Sequence, residues 1–275
     1  MTPQPERYER FLELHTRPGG FVMPNAWDAV SALLLKEAGF EAIGTSSAAH
    51  AASLGRIDGR HAVSRDEHLA HAVLLGDVTG LPVNGDFEDG YGDTPDAVAA
   101  TVEAAIGAGL AGIGVEDTSG DPEAPIRDFD DAVARVAAAA RVAAGRIVLT
   151  GRTDNHVHGR HDIDDTIRRL TAFAEAGADV LYAPFPPTMA DVVAIVRAVA
   201  PKPVNVVVGT MEGPVPVAEL QAAGVKRISL GAALYGRVMA DLRRAAAQLA
   251  DGDMAAASEG LGFRGIIAMI AAARG

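Results

Sequence analysis

The segment GAGLAGIG (residues 107–114) recurs in variant form three more times, and this repeat decides the fold. The other copies read EAGFEAIG (37–44), EAGADVLY (175–182) and QAAGVKRISLG (221–231). Each follows an alanine-rich helical segment, and its glycine suits the left-handed position just beyond a helix. The apolar run after the glycine is typical of a short strand buried on both faces. The repeat therefore predicts four helix-to-strand junctions.

Four further apolar runs of the same kind lie between these copies and bring the predicted strands to eight. They are FVMP (21–24), LPVNG (81–85), RIVLTG (146–151) and KPVNVVV (202–208). Amphipathic helical segments alternate with the strands, near residues 27–38, 64–78, 95–107, 129–143, 163–176, 188–199, 217–223 and 232–249. This alternation predicts parallel strands joined by right-handed crossovers and closed into a (β/α)8 TIM barrel. A doubly wound open sheet is the alternative, but no GxGxxG or GxxxxGK[ST] motif supports it.

The last segment of the chain extends beyond the eighth predicted helix. We expect one domain, with the catalytic barrel in residues 1–250 and a C-terminal helical extension in residues 251–275. The stretch SEGLGFRGIIAMIAAARG (258–275) would leave apolar side chains in water if it stayed on its own surface. We therefore expect the extension to pack on, and be exchanged with, a neighbouring subunit.

The composition excludes several classes of protein. A formal charge of −12 over 275 residues argues against nucleic-acid binding, because a phosphate backbone selects for clustered Lys and Arg. With no cysteine, the chain has no disulfide, no thiolate zinc site and no cysteine nucleophile. The N-terminal segment is polar, and no run of about 18 apolar residues occurs in the chain. We expect a cytoplasmic protein that binds neither nucleic acid nor membrane.

Only three lysines occur, and none is placed for covalent catalysis. Lys202 and Lys226 each precede a predicted strand, and Lys36 lies within a predicted helix. All three should therefore avoid the carboxyl ends of the strands, where barrel enzymes carry their catalytic groups. This argues against the Schiff-base chemistry of class I aldolases.

Polar and charged side chains follow four consecutive predicted strands, from the second to the fifth. In chain order they are Thr45, Ser46, Ser47, Asp58, Asp86, Glu88, Glu116, Asp117, Arg152 and Asp154. Carboxylates from separate loops that face one cavity repel each other unless a cation lies among them. Oxygen ligands without a thiolate pair or a His-x-x-x-His motif favour Mg2+, with Mn2+ as the alternative, over Zn2+.

Other acidic residues of the stretch DFEDGYGD (86–93) are expected to have structural roles. Asp93, in DTPD, is expected to cap the next helix, and Asp89 is expected to serve the turn. Arg152 should point into the cavity, where it binds either an anion or one of the acidic loops. The backbone amides of Ser46 and Ser47 could bind a carboxylate, although TSSAA is also an ordinary small-residue packing sequence.

The motifs resemble those of the isocitrate lyase/phosphoenolpyruvate mutase superfamily over nearly the whole barrel. They are NAWDAVSALLLKEAGFEAIGTSS, ASLGRID, DFEDGYG (the D-x-[DE]-x-G-Y-G pattern), GIGVED, GRTDN and EAGAD. The resemblance implies a Mg2+-dependent enzyme that binds α-oxocarboxylates or their enolates and forms or breaks C–C or P–C bonds beside the carbonyl. It also implies a homo-oligomer, a tetramer or dimer, that exchanges C-terminal helices.

The resemblance also assigns roles to individual residues. It places Asp58, Asp86, Glu88 and Glu116 around the metal ion. It implies that Arg152 binds the substrate anion and that Asp86 lies beside the substrate. It makes Ser46, Ser47 and Ala48 the loop that holds the substrate carboxylate.

Three departures from the superfamily pattern bear on the chemistry. The lyases carry a K-[KR]-C-G-H loop, where this chain reads EDTSGDPEAPIRDF (116–129), and the Lys-Thr-Asn loop of the phosphonate enzymes is also missing. Pro184 falls near the place of a titratable residue after the sixth strand. The remaining candidates for proton transfer are His156 and His158 in RTDNHVHGRHD, although both could be ordinary polar loop residues.

The other histidines are weaker candidates for proton transfer. His50, in an alanine-rich setting, is expected to be a half-buried, hydrogen-bonded residue. His61, His68 and His71 are expected on or near the second helix and at the surface.

The function expected from these residues is cleavage of a C–C bond in a small α-oxocarboxylate such as oxaloacetate or 2-oxoglutarate. The enzyme would be a lyase, decarboxylase or hydrolase that acts through a metal-stabilised enolate. One alternative is a metal-dependent oxo-acid binding or sensor protein without catalysis. A weaker alternative is a phosphonate P–C bond mutase or hydrolase.

Overall fold

Eight parallel strands form a barrel at the centre of the protein, in a computed structural model that describes residues 3–59 and 61–274. The strands are β1 (Phe21–Met23), β2 (Ile43–Gly44), β3 (Val83–Asp86), β4 (Gly112–Glu116), β5 (Val148–Arg152), β6 (Val180–Tyr182), β7 (Val204–Val207) and β8 (Arg227–Ser229). Their hydrogen-bonded order is β1-β8-β7-β6-β5-β4-β3-β2, and a parallel bridge between Asn25 and Gly44 joins the two ends. The predicted TIM barrel is confirmed, and the open-sheet alternative is wrong.

Helices surround the barrel and alternate with its strands. They are α1 (Gln4–Thr16), α2 (Ala29–Glu37), α3 (Ser47–Ser53), α4 (Arg65–Thr79), α5 (Pro95–Gly107), α6 (Phe129–Ala143), α7 (Ile163–Glu175), α8 (Met189–Val199), α9 (Val217–Ala222), α10 (Ala233–Ala250) and α11 (Phe263–Arg274). Eight of these match the predicted helices to within about two residues, the precision with which helix ends are defined. A 3-10 turn, Met254–Ala257, lies between α10 and α11, and a small hairpin pairs Gly209–Thr210 with Gly213–Pro214.

The glycine repeat behaves as the sequence predicts. Gly39, Gly109, Gly177 and Gly224 have φ angles of +88°, +89°, +110° and +91°. A side chain in that left-handed region is strained, so glycine ends the helix at low cost and turns the chain into the next strand.

Helix α1 was not predicted, and it closes the amino-terminal end of the barrel. Phe11 and Leu14 are buried in a cluster with Phe21 of β1 and Val148 of β5. The barrel makes room for this helix, since a Cβ atom on Gly112 would lie 2.5 Å from the Phe11 ring. The apolar stripe of α1 is short and lies among charged residues, so the sequence pattern does not reveal this helix. Its packing depends on contacts with the finished barrel.

Asn25, just beyond β1, ties the first and last strands to the second. Its side-chain amide donates to the carbonyl of Thr45, and its Oδ1 accepts from the backbone N–H groups of Leu230 and Gly231 at 2.9 and 2.8 Å. The residue therefore holds the barrel seam at the carboxyl ends of the strands.

The C-terminal segment leaves apolar side chains exposed. Helix α11 contacts α2 and α4 of the same chain, yet Phe263 is 75% exposed and Ile267 is 50% exposed. No residue of α10 is buried. None of the described helices is long and apolar enough to cross a lipid bilayer.

Candidate active site

The loop after β2 leads directly into helix α3, which was not predicted. Ser46 is the N-cap, and its side chain accepts a hydrogen bond from the N–H of Ala49. Ala48 lies half-buried in the first turn. The backbone N–H of Ser47 donates to Oδ2 of Asp86 at 2.9 Å. The first turn therefore does hold a carboxylate, which in this structure belongs to the protein itself.

Asp58 and Asp86 meet at the hydroxyl of Ser47. Ser47 Oγ lies 3.1 Å from Asp86 Oδ2 and 3.2 Å from Asp58 Oδ2, so two carboxylates share one hydrogen. Asp58 is exposed to the cavity, but the surrounding protein removes part of its hydration. This desolvation, together with the negative charge on Asp86, raises the pKa of Asp58. The carboxylates of Asp58 and Asp86 together carry more negative charge than the neighbouring groups balance.

Glu88 lies on the same wall but makes a separate set of contacts. Its two oxygens accept hydrogen bonds from the backbone N–H of His61 and the hydroxyl of Tyr91, each at 3.1 Å. Burial raises the pKa of Glu88. Its φ of +45° is unusual for a side-chain-bearing residue, and such strain is typical of functional sites.

Arg152 joins the carboxylates of three strands. Its Nε and Nη2 bind the two oxygens of Asp154 at 2.5 and 2.8 Å, and Nη2 also lies 3.1 Å from Glu116 Oε2. Its Nη1 is 3.5 Å from Asp86 Oδ1. Burial, opposed by Arg152 and reinforced by Asp154, raises the pKa of Glu116 well above its usual value.

Two acidic residues near the site have structural roles. Asp117 accepts from the backbone N–H of Asp154 at 2.9 Å and pairs with Arg169 at 3.2 Å. Asp89 accepts from the backbone N–H of Tyr91 and pairs with Arg127 at 2.8 Å, so it serves the turn as expected.

The expected helix cap at Asp93 is wrong by one residue. Thr94 is the N-cap of α5, with its side chain accepting from the N–H of Ala97, and Pro95 follows in the first turn. The threonine hydroxyl performs the capping, which leaves Asp93 as an exposed carboxylate.

The two candidate proton-transfer histidines lie in different surroundings. His158 lines the cavity beside Asp154. His156 is buried with neither ring nitrogen hydrogen-bonded, and its ring stacks near that of His161 at 6.1 Å. The structure therefore brings His158, but not His156, to the carboxylates.

The histidines of α4 were expected at the surface, and that expectation is wrong. His68 and His71 are buried, and His71 stacks on His50 of α3 with ring centroids 3.8 Å apart. Helix α3, which was not predicted, covers them. His61 lies in the loop before α4, where its Nε2 is 2.7 Å from Asp89 Oδ1.

Acid should destabilise the protein through these buried rings. Burial lowers the pKa of His68 and of His71 to about 4, against 6.5 for the free side chain. The unfolded chain therefore binds more protons between these values, and the free energy of unfolding falls as the pH drops from about 6.5 towards 4. At pH 5 the loss is on the order of 2 kcal/mol for each histidine.

Urea unfolding at pH 7.5 and pH 5 measures this effect, with His71→Phe as the diagnostic variant. The variant loses the hydrogen bond from His71 Nε2 to the carbonyl of Trp27 at both pH values, but it has a smaller pH dependence than the wild type. His161→Phe, at an exposed histidine, serves as the control. Equal pH dependence in His71→Phe and the wild type would contradict the assignment.

A cavity of about 740 Å3 opens above the strand ends. Seven carboxylates and two arginines are among its described lining residues. One side is formed by the loop after β4, where the N–H of Ser119 donates to the carbonyl of Pro125 and Thr118 pairs with Ile126. Arg127 fixes this loop through a bond from its Nε to the carbonyl of Thr118.

Sequence reasoning missed Arg127 and Tyr182. Arg127 follows the loop in APIRDF, and only its position beside an acidic stretch signals a role. The ring of Tyr182, at the end of β6, lies under the guanidinium of Arg152 at 5.2 Å. An aromatic residue at the carboxyl end of a barrel strand was the available signal.

The donor set suits a hard divalent cation that keeps part of its water. Within residues 3–59 and 61–274, no three acidic or histidine side chains are close enough to form a complete set of direct ligands. Asp58 and Asp86 nevertheless converge on one hydroxyl, and Glu88 and Glu116 line the same cavity. Mg2+ commonly binds one or two carboxylates directly and others through water, which fits this arrangement.

The comparison with protein families agrees with the fold. The model of the phosphoenolpyruvate phosphomutase family matches residues 11–250. The chain belongs to this family. As a phosphoenolpyruvate phosphomutase family member it is an enzyme of the lyase/mutase superfamily, and the superfamily resemblance inferred from the motifs is confirmed.

Three relatives illustrate the range of this family. A solved structure from Burkholderia cenocepacia J2315, named only as a lyase/mutase, is 43% identical with a TM-score of 0.93, over 98% of this chain and 96% of that one. An uncharacterized protein of Mycobacterium tuberculosis is 34% identical over 252 residues, 88% of this chain and 90% of that protein. An oxaloacetate decarboxylase of Paraburkholderia xenovorans is 32% identical over 214 residues, 72% of this chain and 67% of that protein.

Proposed function

We propose that the protein is a Mg2+-dependent enzyme that cleaves a C–C bond in a small α-oxocarboxylate of the size of oxaloacetate or 2-oxoglutarate, with Mn2+ as the alternative ion. The observation that carries this proposal is the convergence of Arg152, the Ser47 amide and the carboxylates of three strands on one cavity. The similarity to an oxaloacetate decarboxylase supports an oxo-acid substrate.

Two groups of the chain would bind the substrate carboxylate. In the present structure the Ser47 amide and Arg152 Nη1 both contact Asp86. When Asp86 serves as a metal ligand, these donors are released to an incoming anion. A bound Mg2+ would supply Lewis-acid stabilisation of the negative charge that develops on the substrate carbonyl oxygen. Asp154 meanwhile holds Arg152 in a fixed bidentate orientation, which limits the reorganisation needed in the transition state.

His158 is the proposed proton donor to the enolate carbon or to the leaving group. It is the one of the two candidate histidines that lines the cavity, and Pro184 after β6 has no proton to give. A histidine can exchange protons near neutral pH, as this step requires.

We also propose that the active form is a homotetramer or homodimer built through the C-terminal helices. The exposed side chains of Leu261, Phe263 and Ile267 support such a contact, because isolated chains seldom leave large apolar groups clustered in water.

The proposed function is tested by a thermal-shift screen of 2-oxo acids with and without Mg2+, followed by product analysis of the best binders. The expected result is Mg2+-dependent stabilisation by an oxo acid together with a C–C cleavage product. Turnover of isocitrate or 2-methylisocitrate with no activity on oxo acids would contradict the proposal. Stabilisation without any product on long incubation would favour the binding or sensor alternative, and release of phosphate from a phosphonate would favour P–C bond chemistry.

A further inference from the structure

Arg227 is a buried cation inside the barrel. Its side chain is 2% exposed, and its hydrogen-bond partners are Asn205 Oδ1 at 2.9 Å, Thr150 Oγ1 at 3.0 Å, and Asn84 Oδ1 and His15 Nε2 at 3.5 Å. No described carboxylate pairs with it. Burial lowers its pKa to about 10, so the guanidinium stays charged at neutral pH. An unpaired buried charge is costly, which indicates that its position has a use.

The guanidinium lies one layer below the carboxylate site. Asn84 and Asp86 are two residues apart on β3, and Thr150 and Arg152 are two residues apart on β5, so each pair points into the barrel from the same face of its strand. Because Arg227 contacts the lower member of both pairs, it is about 7 Å below the upper members, twice the rise of a strand residue. Charges at this separation inside a protein still interact, since little water screens them.

A chain of polar side chains also connects Arg227 to the cavity floor. Arg227 Nε donates to Asn205 Oδ1, and Asn205 Nδ2 donates to Ser229 Oγ at 2.9 Å. Ser229 ends β8, and the ring of Tyr182, at the end of β6, lies under the guanidinium of Arg152. Arg227 thus contributes both a charge below the site and an anchor for the polar side chains of β7 and β8 inside the barrel.

The cavity above has an excess of negative charge, with seven carboxylates and two arginines among its described lining residues. A substrate anion entering it would be repelled even after one divalent ion had bound. We propose that Arg227 is a positioning residue that changes the relative affinities of the overlying site. It strengthens the binding of the substrate carboxylate and weakens the binding of the metal ion. This inference rests on the proposed function and names a residue that acts on it without touching the ligand.

The proposal predicts changes of opposite sign for two ligands. Removal of the buried charge should tighten the binding of a divalent cation and weaken the binding of an anion. A purely structural role would instead weaken both, because the floor under Arg152 would loosen. The expected shifts are on the order of tenfold, the size typical of groups one shell away from a bound ion.

The test compares Arg227→Gln, which removes the charge but keeps a hydrogen-bond donor, with Arg227→Lys, which keeps the charge. Mn2+ binding is measured by electron paramagnetic resonance of the free ion, and oxalate binding by calorimetry at saturating Mg2+. Arg7→Gln is the matched control, since Arg7 is a buried arginine outside the barrel wall that donates to the carbonyl of Gly76. Circular dichroism establishes that each variant is folded.

The expected result is tighter Mn2+ binding and weaker oxalate binding in Arg227→Gln, with Arg227→Lys and Arg7→Gln close to the wild type. Weaker binding of both ligands in Arg227→Gln, an equal shift in Arg227→Lys, or no shift in either variant would overturn the role of Arg227 alone. Failure of the wild-type protein to bind Mn2+ would overturn the proposed function and this inference together. If neither Arg227 variant folds, Arg227 is structural and the inference is wrong.

Discussion

Asp86→Asn should lower the turnover of the best oxo-acid substrate by about 10²- to 10³-fold, the loss typical of a group that stabilises transition-state charge. Asp86 is in contact with Ser47 and Arg152, and it faces Asp58 across one hydroxyl. Asparagine keeps the shape of the side chain but removes the charge that a divalent cation needs. We therefore also expect Mg2+ to bind more weakly, so that the concentration needed for half-maximal activity rises.

Steady-state kinetics over a range of Mg2+ concentrations measures both effects. Asp96→Asn is the matched control, because it removes an exposed carboxylate of the first turn of α5, outside the residues that line the cavity. Asp96→Asn should behave as the wild type. If Asp86→Asn retained more than about a third of wild-type turnover at low Mg2+, the assignment of Asp86 to the metal site would be wrong.

Arg152→Lys should lower kcat/KM by about 10²-fold or more, even though the charge is kept. The planar guanidinium contacts Asp154 with two nitrogens and reaches Glu116 and Asp86 with the same group. A lysine ammonium is a single point and cannot hold a carboxylate bidentately while facing two others. The substrate anion would consequently meet a misplaced charge.

The same kinetics, with oxo-acid binding followed by calorimetry, checks this expectation. Arg168→Lys provides the control, because Arg168 is an exposed arginine of α7 whose side chain is 59% accessible. A change of less than threefold in Arg152→Lys would show that Arg152 acts only as a counter-charge for the acidic loops. That outcome would support the structural interpretation of this residue.

The barrel could be predicted from the sequence because its signals are local. A helix, a left-handed glycine and a short apolar strand follow one another within a few residues, and the structure has positive φ at Gly39, Gly109, Gly177 and Gly224. The rule that barrel sites lie at the carboxyl ends of strands then predicts the position of Asp86, which contacts Ser47 and Arg152 of the cavity lining. Neither inference requires knowledge of which distant segments touch.

The features that sequence reasoning missed depend on distant contacts. The burial of His68 and His71 depends on distant segments, among them α3, which has no periodic apolar signal and lies against His71. Arg227 sits at the start of a strand, where a charged residue is expected to reach solvent, and only the alternation of Arg227 and Ser229 around apolar Ile228 hints at an inward polar face. Which side chains share a proton or a cation is decided by the assembled barrel.

Asn25 has a consequence for the order of events during synthesis. Its side chain bonds backbone groups that lie 205 and 206 positions later in the chain, so the barrel seam stays open until β8 has left the ribosome. Before that point β1 presents an unpaired edge, the kind of surface through which nascent chains associate wrongly. The strands β3, β4 and β5 can pair with one another earlier, because they are consecutive. The acidic half of the cavity can therefore assemble before the barrel closes, whereas Arg227, on the last strand, arrives beneath it only at closure.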